Sequence, residues 1–143
     1  MERQGFRDIQ IVSGNARSAM AASDVVLCAS GTATLEGMLV NRPLVMTYKV
    51  SPSTYRLASW LKLVKLDWYS LPNILAGERL VPELIQDEAS GDRLAKEAER
   101  WLDDPQAVAN LKNRFTVLGQ QLRCDAAKRA AEAVDELMKA NRS

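Results

Sequence analysis

The sequence predicts an α/β fold in which a partial parallel sheet is followed by C-terminal helices. Three apolar runs in the first half, at residues 9–12, 25–28 and 44–48, have the length and composition of strands. Helical periods at 15–23 and 33–40 separate these runs, and strands that alternate with helices at this spacing indicate βαβ units. We therefore divide the chain into a partial sheet domain at 1–89 and C-terminal helices at 90–143 that pack on it or on a further, N-terminal domain.

Start signals in the second half predict three helices. Ser90 can cap the first, Asp104 followed by Pro105 is a strong start for the second, and Asp125 opens the last. The apolar residues of the second helix recur at a helical period and include Leu111, Phe115 and Leu118. The stretch between the two halves has proline or glycine at 72, 77 and 82, and we predict that it is irregular.

Composition and charge exclude several classes of function. A formal net charge of +1 argues against nucleic-acid binding through overall charge. The sequence has no histidine, which excludes Ser-His-Asp and Cys-His catalysis and histidine-ligated metal sites. Cys28 and Cys124 form no CxxC motif, and we expect reduced, buried thiols. With no signal peptide and no apolar run of membrane-spanning length, we expect a cytoplasmic protein.

The clearest chemical signal is the segment 29–36, ASGTATLE. It follows a buried strand and opens a helix, so backbone N–H groups without helical acceptors point out of the carboxyl edge of the sheet. Gly31 lets a phosphate approach the backbone, and the hydroxyls of Ser30 and Thr32 can donate to it. Glu36 lies about one turn further on, where a carboxylate can accept from both hydroxyls of a ribose. A plain helix start with a solvated acid fits the same spacing.

The sequence also resembles a known family. The segments ASGTATLEGMLVNRPLVMTYKVSPSTYRLASWL and DWYSLPNILAGERLVPELIQDEAS resemble the C-terminal part of bacterial lipid-A-disaccharide synthases. The SGTxxLE core is shared by many glycosyltransferases with two Rossmann domains, the GT-B type, whereas SLPNILAG is more specific. The resemblance implies that residues 1–89 are the later part of a Rossmann-like nucleotide-sugar-binding domain. It also implies transfer of an acylated glucosamine from UDP-2,3-diacylglucosamine to 2,3-diacylglucosamine 1-phosphate, with release of UDP. The resemblance further implies that this reaction needs no metal and no cofactor, in agreement with the missing histidine and cysteine ligand sets.

The resemblance assigns residues to the UDP-sugar site. Ser30, Gly31 and Thr32 would contact the phosphates and Glu36 the uridine ribose, while Asn73 matches a polar active-site position. For Asn73 alone, an asparagine favoured in a proline-containing turn is the simpler interpretation. The catalytic carboxylate belongs to an N-terminal domain that this sequence lacks, so we expect the isolated chain to be inactive. Its partners would be a UDP-sugar donor and an anionic lipid acceptor, and an exposed sheet edge predicts a homo-oligomer, with element exchange as one route.

Basic and aromatic residues are concentrated at 53–66. Wound as a helix, this segment has the composition of one that contacts an anionic membrane surface. The residues predicted to make this contact are Arg56, Trp60, Leu61 and Lys62. An ordinary surface helix whose apolar side covers the sheet fits the same pattern. Because the family acts on lipid substrates, we expect the protein to be peripheral to the inner face of the membrane.

Two other functions are compatible with the residues alone. A related UDP-sugar enzyme, such as a 2-epimerase or another cell-envelope transferase, would share the SGTxxLE core. A stand-alone α/β binding or signalling module suits the length of 143 residues, but three strands are few for such a domain and no receiver-type carboxylate cluster is visible. UDP binding would separate both enzymes from the module.

Overall fold

The structure is a computed structural model that describes residues 9–29, 31–51, 67–123, 131–135 and 138–139. Its elements in chain order are α1 (Ala16–Ala22), β1 (Val26–Ala29), α2 (Thr32–Leu39), β2 (Leu44–Tyr48), α3 (Leu71–Ala76), β3 (Glu83–Ile85), a 3₁₀ helix (Gln86–Glu88), α4 (Gly91–Asp103) and α5 (Pro105–Leu122). Residues 131–135 and 138–139 are also helical.

The strands of the described residues form one parallel sheet in the order β1-β2-β3. Val26 pairs with Leu44, and Met46 pairs with Glu83, so strands that follow one another along the chain are neighbours in the sheet. Both faces of β2 are covered, because Val45 and Met46 point to opposite faces and are both 0% exposed. The predicted α/β class with a parallel sheet is confirmed.

The core lies where α2 and α5 pack together beside the sheet. α2 contacts β1, β2, α3 and α5, while α4 contacts β2 and α5. The buried apolar cluster consists of Val26, Met38, Leu44, Val81, Leu111, Phe115 and Leu118. Three of these residues, Leu111, Phe115 and Leu118, lie on α5, and their burial confirms the helical period predicted for it. The boundary between a sheet domain and C-terminal helices at 89/90 stays a prediction.

The helices α4 and α5 begin at the predicted start signals. Ser90 and Asp104 each accept a hydrogen bond from the backbone N–H three residues further on, and Pro105 is the first residue of α5. The start of α1 differs. Asn15 occupies the cap position, but its Oδ1 accepts from the hydroxyl of Ser18 at 2.9 Å and no backbone N–H is capped by its side chain.

Two predictions about elements are wrong. Residues 9–12 are not a strand: they pair with none of the described strands, and Ile11 is 92% exposed. The stretch that was predicted to be irregular contains α3, and β3 follows directly after it. β3 has three residues, which is too short for an alternating pattern to be recognised in the sequence.

Several other predictions are only partly covered by the described residues. Cys124 and Asp125 lie outside them, as does the segment 52–66 with the predicted membrane contacts. Cys28 is a free thiol, and burial raises its pKa to about 11. Within the described ranges, no helix is long and apolar enough to cross a membrane. The homo-oligomer has no test in a single chain and stays a prediction.

Candidate functional site

The turn between β1 and α2 is built around Gly31. Its φ of 110° and ψ of −152° lie in a region that residues with a Cβ avoid. A Cβ at this position would meet no atom within 4 Å. Backbone conformation alone therefore requires glycine, and the space beside the backbone is open. The first N–H groups of α2, which have no intrahelical acceptor, lie here at the carboxyl edge of the sheet.

Two polar side chains of α2 are free beside this turn. Thr32 is exposed and Glu36 is half-buried, and their spacing of four residues places them on the same side of the helix. Among the described residues, neither side chain has a hydrogen-bond or ion-pair partner. The hydroxyl and the carboxylate are thus available to a ligand. Ser30, predicted to act with them, lies outside the described residues.

Thr34 joins the Gly31 turn to the start of α3. Its side chain is 0% exposed, and its Oγ1 donates to the carbonyl oxygen of Gly31 at 2.8 Å. The same oxygen accepts from the backbone N–H of Leu71, the first residue of α3, at 3.1 Å. One buried hydroxyl therefore connects the two segments that carry the predicted site residues.

Asn73 is buried, and its amide is fully occupied by the protein. It is 0% exposed, and its Nδ2 donates to the Val81 carbonyl at 3.0 Å and to Glu83 Oε1 at 2.8 Å. Its Oδ1 accepts from the N–H groups of Leu80 and Val81 at 2.8 and 2.9 Å. A contact between this amide and substrate would have to replace one of these bonds. The predicted role of Asn73 in the UDP-sugar site stays a prediction.

The carboxylate of Glu83 accepts hydrogen bonds from several residues around the start of α3. Its Oε1 accepts from the N–H and the hydroxyl of Ser70 at 2.8 and 2.7 Å, and both oxygens accept from the N–H of Tyr69 at 3.0–3.1 Å. Together with the bond from Asn73, these contacts hold the residues before α3 and its first turn onto β3. No cation pairs with Glu83 within the part of the chain that the structure describes, so backbone and side-chain donors stabilise its charge.

Gln86 holds the chain where it leaves β2. The residue has a φ of 53°, which is uncommon for a residue with a side chain. Its Oε1 accepts from the N–H of Val50 at 2.8 Å, and its Nε2 donates to the Val50 carbonyl at 3.3 Å. These two bonds continue the pairing of β2 and β3 by means of a side chain. The predicted membrane-contacting residues follow this point and lie outside the described residues: Arg56, Trp60, Leu61 and Lys62.

Sequence patterns do not predict the hydrogen bonds made by four residues of this region: Thr34, Ser70, Glu83 and Gln86. Thr34 lies inside the recognised motif, but its spacing indicates only an interior helical position. Glu83 accepts from residues 10–14 positions away, and no local pattern indicates that pairing. Ser70 directly precedes the Leu71-Pro72 helix start, which marks a cap position, but its side chain caps no backbone N–H and donates to Glu83 instead.

Two cavities lie close to the sheet but away from the Gly31 turn. One of about 420 Å³ is lined by α4, α5 and the loops before β1 and β2, at the amino edge of the sheet. Another of about 270 Å³ lies beside Glu83, Trp68 and Tyr69. Neither is lined by Gly31, Thr32 or Glu36. Among the described residues, no group of three acidic or cysteine side chains could hold a metal ion.

Comparison with known proteins identifies similar sequences along most of the chain. Residues 3–135 match the family model described as lipid-A-disaccharide synthetase. A lipid-A-disaccharide synthase of Xanthomonas campestris pv. campestris (strain 8004) is 55% identical over 128 residues, which is 90% of this chain and 29% of the relative. The corresponding proteins of Xanthomonas oryzae pv. oryzae (strain MAFF 311018) and Xylella fastidiosa (strain M12) are 53% and 52% identical over 128 residues, 30% and 33% of their lengths.

Proposed function

Because the chain belongs to the lipid-A-disaccharide synthetase family, we propose that it supplies the donor-nucleotide part of a glycosyltransferase. The chain spans about a third of the length of the curated relatives it matches. The proposed reaction moves an acylated glucosamine from UDP-2,3-diacylglucosamine to 2,3-diacylglucosamine 1-phosphate and releases UDP. In this proposal the acceptor site and the catalytic carboxylate belong to the part of the relatives that this chain does not match.

The observation that carries this proposal is the open Gly31 turn with the free side chains of Thr32 and Glu36. The first N–H groups of α2 would bind the diphosphate, since a helix N-terminus favours an anion. Glu36 would accept from the two ribose hydroxyls and so distinguish a nucleotide from other phosphates. The amide of Asn73 is already bonded to Glu83 on β3 and to Val81, so it would position α3 beside the site. A direct contact with substrate would displace one of these bonds.

The same geometry suits the departure of UDP. Breaking the bond between the anomeric carbon and the β-phosphate oxygen places negative charge on the diphosphate. N–H groups fixed at a helix N-terminus stabilise charge that develops at this position. The chain has no histidine, so any general base contributed by it would not be an imidazole. The alternatives of an epimerase or a stand-alone module gain no support, since the three relatives described above carry one name.

A chimera tests this function. The matching region of the Xanthomonas campestris relative is replaced by this chain, and disaccharide formation and UDP release are measured. We expect the chimera to form the disaccharide, because the two sequences are 55% identical over that region, and we expect the 143-residue chain alone to form none. In the chimera, Glu36→Gln should raise the KM for the UDP-sugar about ten-fold, which corresponds to about 1.4 kcal/mol.

The control for that substitution is Glu99→Gln, which removes the charge of an exposed glutamate on α4. It should leave the KM unchanged. A folded chimera without transferase activity would contradict the proposed function. Equal KM values for the Glu36→Gln and Glu99→Gln chimeras would contradict the role of Glu36 as the ribose acceptor.

We further propose that residues 53–66 bring the protein to the cytoplasmic face of the inner membrane as a peripheral protein. Each basic residue near an anionic surface contributes about 1 kcal/mol, and Trp60 and Leu61 would insert. Replacing both by serine should weaken co-sedimentation with phosphatidylglycerol-containing vesicles, whereas Leu102→Ser should not, although Leu102 is 57% exposed on α4. Unchanged binding by the folded double variant would assign Trp60 and Leu61 to the interior.

A further inference from the structure

We propose that Thr34 is a positioning residue that aims the Thr32 N–H at the donor diphosphate. The proposal rests on the proposed function, and it begins with the peptide group between Gly31 and Thr32. The carbonyl oxygen of that peptide group accepts from both the Oγ1 and the N–H of Thr34, at 2.8 and 3.1 Å. The carbonyl is therefore directed into the helix by two bonds from one residue.

A fixed carbonyl direction fixes an N–H direction. The peptide group is planar and trans, so its C=O and N–H point in opposite directions. Holding the Gly31 carbonyl toward Thr34 therefore turns the Thr32 N–H outward, toward the open side of the turn. Glycine at a φ of 110°, with no neighbouring atom around its Cβ position, would otherwise leave this peptide group free to rotate.

The orientation of the Thr34 hydroxyl is itself determined by α3. A hydroxyl has one hydrogen to donate and lone pairs to accept. Because the Leu71 N–H occupies an acceptor position at 3.1 Å, the hydroxyl hydrogen is directed to Gly31. The residue before Leu71, Ser70, is held in turn by Glu83. These hydrogen bonds, joined through the peptide bond between Ser70 and Leu71, thus connect β3 to the peptide group that faces the ligand.

The test separates the diphosphate from the nucleoside by measuring the affinities of the 143-residue chain for UDP and for uridine by calorimetry. Thr34→Val keeps the shape of the side chain but removes the hydroxyl, so UDP affinity should fall about three- to ten-fold, the range expected for one hydrogen bond. Uridine affinity should not change. Thr34→Ser retains the hydroxyl and should restore UDP affinity to within about two-fold of the original.

The matched control is Thr116→Val, which removes a hydroxyl that donates to the Lys112 carbonyl at 2.9 Å on the exposed side of α5. It should change neither affinity. If Thr34→Val weakens UDP and uridine equally, or weakens neither, the positioning role is overturned while UDP binding by the unmodified chain still supports the proposed function. If the unmodified chain binds UDP no better than uridine, the phosphate site and the inference built on it both fail.

A second measurement needs no variant and serves if Thr34→Val does not fold. Amide hydrogen exchange of the unmodified chain is followed at Leu71, whose N–H donates to Thr34. Saturating UDP should slow exchange at Leu71 several-fold more than saturating uridine does, because the diphosphate engages the peptide group that Thr34 holds. Equal exchange at Leu71 in the two complexes would overturn the proposal.

Discussion

Replacing Asn73 with aspartate is expected to lower the free energy of unfolding by about 3–5 kcal/mol, although the two side chains have nearly the same shape. The new oxygen would take the place of Nδ2, which donates to the Val81 carbonyl and to Glu83 Oε1. The Val81 carbonyl would lose this donor, Glu83 Oε1 would keep only its donors at Tyr69 and Ser70, and a second carboxylate would face Glu83 at hydrogen-bond distance. Denaturant unfolding at neutral pH measures the change.

The control is Asn110→Asp on the exposed side of α5, where Oδ1 accepts, among the described residues, from Gln106 alone at 3.2 Å. This substitution should change the free energy of unfolding by less than about 0.5 kcal/mol. Acidification should recover part of the stability of Asn73→Asp, because a protonated carboxyl can donate again. Similar stability losses in the two variants would show that the Asn73 amide does not hold α3 onto β3. A direct role in substrate binding would then be the better explanation of Asn73.

Replacing Gly31 with alanine is expected to lower the free energy of unfolding by about 1–3 kcal/mol. No atom within 4 Å would clash with the new methyl group, so the cost comes from the backbone conformation alone. The variant should also lose UDP affinity in calorimetry, because relief of the strain turns the peptide group that faces the ligand.

Gly91→Ala provides the matched control for the Gly31 substitution. Gly91 also has open space around its Cβ position, but it lies at the start of α4 without a positive φ. Alanine there should raise the free energy of unfolding by about 0.4–1 kcal/mol, since it restricts the unfolded chain. Changes in the free energy of unfolding with the same sign and size for the two alanine variants would contradict the assigned conformation of the Gly31 turn.

The parts of this fold that could be predicted from the sequence are those with local causes. Ser90 and Asp104 cap helices within three residues of themselves, and the apolar period that includes Phe115 is a property of one helix. Gly31 could be recognised because it lies between a buried strand and a helix. A three-residue strand such as β3 has no such local signature, since its pairing with β2 depends on residues far away along the chain.

The hydrogen bonds of the candidate site could not be predicted for the same reason. Asn73 has the same local sequence whether its amide faces a ligand or Glu83, and only the placement of β3 decides between them. Thr34 has the sequence context of an ordinary helical threonine, and only the fold shows that α3 brings the Leu71 N–H to its hydroxyl. The resemblance to the family assigned residues to the site, but it could not distinguish residues that are free, such as Glu36, from residues whose polar groups are already bonded within the protein, such as Asn73.

The strand order β1-β2-β3 also bears on how the chain acquires its structure. The residues that pair β2 with β3, such as Met46 and Glu83, are roughly twice as far apart along the chain as Val26 and Leu44. Loop-closure entropy rises by only about 0.6 kcal/mol for each doubling of length, so the second pairing costs little more than the first. Because β1 and β2 close the shorter loop, we expect them to pair first, with α2 packed on them, and β3 to join the sheet afterwards.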